Sequence, residues 1–521
     1  MKTTLLFLGT ALFLASAILS FTPALRDPAP LKVSGGLVSG TLNKDGDIQI
    51  FRGIPFASPP VGALRWKAPQ AVRSWSGVRK CDAFGPSPMQ AEPAAFSMWS
   101  DEFLIPKGPI SEDCLYLNVW SKHQPSSGKA KMPVLVWIYG GGFSSGGSGV
   151  PIYDGEALAK KGVVFVSVNY RVGPFGFFAH PELTSESGKG ASGNYGLMDQ
   201  VAGLQWVKQN IAAFGGDPAN VTIAGQSAGS MSVNCLVASP LARNLFTKAI
   251  AESGASFLNP QPSLQQAEAS GLTVMKSLGA ASLSELRALP ADDILQKAKG
   301  MRGPIVDGYV LPETIASLFA ARKQNDITLL TGWNQNEGLM AGPLKNAADY
   351  RKQMEQQYGA DASTFLSHYP ATTEAEAVVS QQNLSRDMIF GAQNYTWANV
   401  QSSQGKKAFV YRFTRKLPAT GEYAQYGAFH TGEVAYAYDN LRFIDHKLRP
   451  LNQTDEELAR IMSAYWANFI KTGDPNGAGL PKWPVYGTKE KQIMMLGDKA
   501  EAEPLPDAAS LDFLTAKLKK Q

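Results

Sequence analysis

Val221-Thr222-Ile223-Ala224-Gly225-Gln226-Ser227-Ala228-Gly229 begins as a short β-branched strand, passes through a glycine-bounded turn and leads into residues 228–237, whose small and apolar side chains suit a buried helix. Inside it, Gly225-Gln226-Ser227-Ala228-Gly229 fits the pattern G-x-S-x-G, which gains meaning from a strand before it and a helix after it. Glycine at 225 and 229 removes the side chains that would clash as the chain doubles back. The serine hydroxyl then projects from a sharp turn, and the backbone N–H of Ala228 opens the helix beside it.

Outward from this turn, residues 134–139 form a continuous β-branched and aromatic run that ends in Gly140-Gly141-Gly142, as expected of a strand buried on both faces. Residues 163–170 repeat the pattern. Further apolar runs at 246–251, 327–330 and 408–413 alternate with helical stretches such as 200–211. The alternation predicts an α/β fold with a mainly parallel central sheet, helices on both faces and long loop excursions. A triple glycine upstream of the serine leaves N–H groups uncovered, which suits a site where negative charge develops on a carbonyl oxygen.

A serine nucleophile needs a base. The chain has five histidines, and enzymes built on such a turn order their triad as serine, acid, histidine along the chain. That order sets aside His123 and His180, while His368 and His446 stand in polar contexts typical of loops or helix ends. His430, in the glycine-flanked stretch Gly427-Ala428-Phe429-His430-Thr431-Gly432-Glu433, is the candidate base. Many carboxylates lie between Ser227 and His430, and periodicity does not choose among them. Glu337, in the polar loop that follows the 327–330 run, is preferred over surface acids such as Glu355 and Glu376.

Across 521 residues the chain is 44% hydrophobic and 18% charged, the balance of a globular protein with a large core. No low-complexity linker divides it, so residues 25–521 read as a single domain. The net charge of +5 comes from interspersed residues rather than a basic stripe, which gives no support to nucleic-acid binding. Lys2 followed by the apolar run 5–19 and small residues reads as a signal peptide over residues 1–24, which predicts a secreted or periplasmic protein with no membrane span after cleavage. Of the three cysteines, Cys235 lies in an apolar stretch, and an exported chain is expected to link Cys81 to Cys114. No His/Cys cluster has metal spacing, so neither a metal nor another cofactor is expected.

The run Phe214 to Gly229 resembles the serine signature of the type B carboxylesterase/lipase family, the group that includes the cholinesterases. Glu112-Asp113-Cys114-Leu115-Tyr116-Leu117-Asn118-Val119-Trp120 resembles its second signature. Phe51-Arg52-Gly53-Ile54-Pro55-Phe56-Ala57, Asn169-Tyr170-Arg171-Val172-Gly173 and Gly473-Asp474-Pro475-Asn476 are similar to family blocks in the same order. The resemblance implies an α/β-hydrolase fold and a serine carboxylesterase that acts on small-molecule esters through an acyl-enzyme. It assigns Ser227, Glu337 and His430 as the triad and the N–H groups of Gly141, Gly142 and Ala228 as the oxyanion hole. It also implies ion pairs Arg65–Glu112 and Arg171–Asp199, and places Glu433 near the histidine. Gln226 departs from the glutamate that many relatives carry before the serine, and the block 85–90 lacks the cysteine that often pairs with the second signature. The alternatives are a catalytically dead adhesion or binding module on the same scaffold, or a lipase, feruloyl esterase or carbamate hydrolase. Oligomeric state has no signal in the sequence.

Overall fold

A computed structural model of the chain describes residues 28–123, 131–298, 300, 303–338 and 343–519. The leader expected over residues 1–24 lies outside the described residues. In chain order the strands of the main sheet are β1 (Thr41–Leu42), β2 (Ile48–Pro55), β3 (Tyr116–Lys122), β4 (Met132–Ile138), β5 (Val164–Val168) and β6 (Gly216–Gln226). They continue as β7 (Lys248–Glu252), β8 (Thr328–Asn334), β9 (Ala408–Phe413), β10 (Gln492–Leu496) and β11 (Ala500–Pro504). Their spatial order is β11-β10-β9-β8-β7-β6-β4-β5-β3-β2-β1. From β5 across to β10 all neighbours run parallel, and antiparallel pairs finish both margins. This is the α/β-hydrolase fold expected above.

Every residue of β5, β7 and β9 is buried, which explains why these strands lack the apolar/polar alternation of a half-exposed strand. Two boundaries differ from the sequence reading. The helix read at 200–211 is α1 (Tyr195–Asn210), which starts earlier and is buried around most of its circumference. An apolar stripe therefore marks its ends poorly. The strand read at 221–224 extends back to Gly216 through an irregular register, because residues 217–220 carry no apolar pattern.

One large hydrophobic cluster runs from Val33 to Leu511 and packs both faces of the sheet. A satellite cluster of Tyr350, Met354, Phe365, Tyr369 and Ala377 closes on Leu514 near the C-terminus. Arg171 and Asp199 form a fully buried bidentate pair, at 2.8 and 2.7 Å, that fastens the loop after β5 to α1. Arg65 grips Glu112 in the same way at 2.7 and 2.5 Å. Both pairs are those implied by the resemblance. Removing one partner of a buried pair strands the other charge, so such pairs fix geometry more than they add stability.

The expected Cys81–Cys114 bridge is absent, and all three thiols are free and buried. The Cys81 backbone is tied to Ser39 and Arg52, whereas Cys114 lies in the small void bounded by Arg65, Trp66, Glu112 and Arg171. The two face different surroundings, and a disulfide requires Cβ atoms that approach and point together. Burial pushes the Cys81 thiol up to about 11. No helix among the described residues is long and apolar enough to cross a membrane.

At the margins, β1 has two residues, and β11 exposes Glu501 while ending on Pro504.

Candidate active site

Strand β6 delivers Gln226 and then Ser227, the residue before helix α2 (Ala228–Ala238). Ser227 has φ 58° and ψ −124°, a conformation that costs a non-glycine residue about 1–3 kcal/mol and persists only where the surroundings dictate it. The surroundings are visible at the flanking glycines. A Cβ on Gly229 would lie 2.0 Å from the carbonyl oxygen of Ile138, and one on Gly225 would lie 2.5 Å from Gly229. Strand β4 and helix α2 thus press together through a gap that only hydrogen atoms fit, and the serine is extruded at its top. Its N–H donates to the carbonyl of Glu252 at 2.9 Å.

The glycine loop that follows β4 faces this serine. A methyl group on Gly140 would come within 3.0 Å of Ser227 Cβ. Gly141 folds back as its carbonyl accepts from the N–H groups of Ser144 and Ser145. Among the described residues no protein acceptor takes the N–H of Gly141, Gly142 or Ala228. Ala228 is the first residue of its helix, where an N–H has no partner within the helix.

Glu337 and His430 are brought together. Glu337 Oε2 lies 2.8 Å from His430 Nδ1, with both side chains buried. Asn334, the last residue of β8, ties the two loops. Its N–H donates to Glu337 Oε1 at 2.7 Å, and its side-chain amide donates to Phe429 O at 2.7 Å and to Glu433 Oε2 at 2.5 Å. The N–H of Asn336 donates to the carbonyl of Ala428 at 3.0 Å, and the N–H of Ala428 donates to Asn336 Oδ1 at 3.1 Å. The loop that carries the acid is thereby registered against the loop that carries the base.

The imidazole is also held across its faces. Phe390 stacks on it with centroids 4.4 Å apart and planes at 16°, and Trp99 meets it edge-on at 6.2 Å. Gln226 Nε2 stands 3.1 Å from His430 Nε2 and 3.3 Å from Nδ1. A nitrogen nearly equidistant from both ring nitrogens is not in line with either lone pair, so the Gln226 amide lies over the ring face, opposite Phe390. Trp99 is fixed in turn by its indole N–H, which donates to Thr431 Oγ1 at 3.1 Å, and by Phe96, which is 58% exposed. Ser227 Oγ makes no hydrogen bond to His430 in this structure. Such contacts are often long or misaligned before substrate binds.

Glu433 is buried without touching His430. Burial, followed by the neighbouring carboxylates of Glu252 and Glu337, holds its carboxyl well above the usual range. Among the described residues no group of three or more His, Cys, Asp or Glu is arranged to hold a metal ion.

Phe390, Trp99 and Asn334 were not singled out from the sequence. Only Asn334 had a local signal, being three residues before Glu337 in the same polar loop.

Comparison with known proteins adds three findings. A family model described as the carboxylesterase family matches residues 27–514. The chain is 37% identical over 484 residues to fumonisin B1 esterase from Sphingopyxis macrogoltabida, covering 89% of this chain and 85% of that protein. It is 33% identical to para-nitrobenzyl esterase from Bacillus subtilis (91% and 96% covered) and 31% identical to phenmedipham hydrolase from Pseudarthrobacter oxydans (93% and 98%).

Proposed function

The chain belongs to the carboxylesterase family and hydrolyses carboxylic esters, and we propose that it does so through an acyl-enzyme on Ser227, with His430 as base and Glu337 as the orienting acid. The observation that carries this reading is the buried 2.8 Å contact between Glu337 and His430 beside a serine held at φ 58°. His430 Nε2 takes the proton of Ser227 as the hydroxyl oxygen attacks the ester carbonyl. The N–H groups of Gly141, Gly142 and Ala228 receive the charge on the carbonyl oxygen, each worth about 3 kcal/mol of transition-state stabilisation. The imidazolium then protonates the departing alcohol. Water enters and gives a proton to the same nitrogen as its oxygen attacks the acyl carbon, and the imidazolium returns that proton to Ser227 Oγ as the acid leaves.

Partitioning tests the covalent step. With methanol added to the buffer, a series of esters sharing one acyl group but differing in alcohol should give one constant ratio of methyl ester to free acid. A ratio that follows the leaving group would mean that no common acyl-enzyme forms.

The groups in contact with His430 other than Glu337 are uncharged: Gln226, Phe390 and Trp99. This favours small-molecule esters of uncharged alcohols over cationic ones. Residues 1–24 are proposed to be an export signal that leaves a secreted or periplasmic domain of residues 25–521. Intact mass of protein purified from its native host should lack the leader; a mass that retains Met1 or Lys2 contradicts cleavage.

A further inference from the structure

Behind the serine lies a set of acidic groups that acyl transfer does not use. Strand β7 ends on Glu252. The parallel register sets Glu252 opposite Gly332 of β8, and Gly332 opposite Tyr411 of β9. These three positions form one row, and side chains in such a row leave the sheet on the same face. The middle position is empty because it is glycine: a Cβ on Gly332 would sit 2.4 Å from the Tyr411 ring. The tyrosine therefore leans across Gly332 toward Glu252.

Glu252 is wholly buried. Its Oε1 accepts from Trp466 Nε1 at 2.8 Å and from Tyr438 Oη at 3.1 Å. Glu433 and Tyr438 flank a single helical turn, α3 (Val434–Ala437). Tyr438 is bonded to Glu252, and Asn334, two residues beyond Gly332 on the same face of β8, is bonded to Glu433, which sets the two carboxyls on one side of the sheet. Among the described residues, Glu252 Oε2, Glu433 Oε1 and Tyr411 Oη have no hydrogen-bond partner. Buried polar atoms are very rarely left unsatisfied, and two buried carboxylates without a cation between them cannot both ionise.

We propose that Glu252 and Glu433 share one proton, and that this pair is a positioning device that holds both halves of the catalytic site from behind. Each carboxyl-bearing residue grips one half. The carbonyl of Glu252 accepts the N–H of Ser227, while Glu433 Oε2 holds Asn334, which in turn holds Glu337 and the peptide before His430. The proposal rests on the triad reading above. Neither residue touches reacting atoms.

The groups facing the pair are Glu337, Tyr411, Tyr438 and Tyr153, with His430 beyond Glu337. No lysine or arginine is among them. Burial pushes Glu252 up to about 8, from an unfolded value in the ordinary carboxylate range. The folded chain thus keeps a proton that the unfolded chain loses. Stability present at pH below the carboxylate range is lost as pH climbs toward about 8, and beyond that point the native pair itself loses its shared proton.

The test follows Tm and kcat/KM on a neutral ester from pH 5 to 9.5 for the wild type, Glu252→Gln and Glu433→Gln. In the wild type Tm should fall across pH 5–8, and kcat/KM should fall about tenfold per pH unit above a limb near pH 8. Glu252→Gln removes the group that releases its proton near pH 8, so the limb should vanish and the Tm slope flatten, whatever the amplitude of activity. Glu433→Gln leaves Glu252 buried without its carboxyl neighbour, so the limb should persist and move to lower pH. A wild type without the limb, or a Glu252→Gln profile that superimposes on the wild type in both readouts, overturns the proposal. If Glu252→Gln does not fold, Glu433→Gln decides: a limb that moves to lower pH supports the shared proton, and a limb that stays in place overturns it. The Tm arm needs no assumption about the nucleophile, so its failure is distinct from failure of the triad reading.

Discussion

Ser227→Ala is expected to give a folded protein whose kcat is lower by about 10⁶-fold and which takes up no organophosphonate, the scale seen when the nucleophile is removed from a serine hydrolase. The change deletes one oxygen that makes no hydrogen bond among the described residues and leaves the N–H bond to Glu252 in place. Alanine tolerates the turn as well as serine does, since both carry the same Cβ at φ 58°. Retention of Tm together with loss of labelling would separate chemistry from folding. Labelling of the variant at the wild-type rate would remove Ser227 from the mechanism. Residual turnover above the uncatalysed rate is compatible with the reading, because the oxyanion donors remain.

The second large effect separates two buried glutamates. Glu337→Gln should lower kcat by about 10⁴-fold, as the corresponding amide does in a serine protease triad. The reason is geometric. Glu337 Oε2 accepts at His430 Nδ1 while Oε1 is occupied by the N–H of Asn334, so an amide must direct its NH2 at the imidazole and impose the wrong tautomer. Glu433 makes no contact with the ring and is bonded to Asn334. Glu433→Gln should therefore cost far less at neutral pH. Matched kinetics on the two folded variants decide the point: if Glu433→Gln abolishes turnover and Glu337→Gln does not, the third triad member has been misassigned.

What could be seen in the sequence follows from how local each cause is. The serine turn is determined by contacts between residues four apart and the strand beside them, so Gly225 and Gly229 announce it directly. The alternation of buried strands and helices is likewise local. Glu337 is half legible: its place in the polar loop after the 327–330 run sets it above surface acids, and the family resemblance agrees, but nothing local fixes which acid meets His430. Phe390, which stacks on His430 from a position 40 residues upstream, had no signal, because an aromatic residue in a helical stretch looks the same whether it packs on a core or on a catalytic ring. Glu252 directly follows the apolar run 246–251, and nothing in the sequence marks it. Its meaning depends on the register that sets it across Gly332 from Tyr411, and register between distant strands is not written in either strand alone. The expected cysteine link rests on export and on the apolar context of Cys235, and neither says in which buried surroundings the fold sets Cys81 and Cys114.

The way the main sheet stops bears on how a chain of this size avoids its own copies while it folds. A long run of parallel strands assembles slowly, and each half-built sheet offers a row of unpaired N–H and C=O groups to any neighbour. Here the margin at β11 meets an incoming strand with the charge of Glu501 and with Pro504, which has no N–H to give, while β1 offers two residues only. Crowded newly made chains consequently find little to add to at either rim.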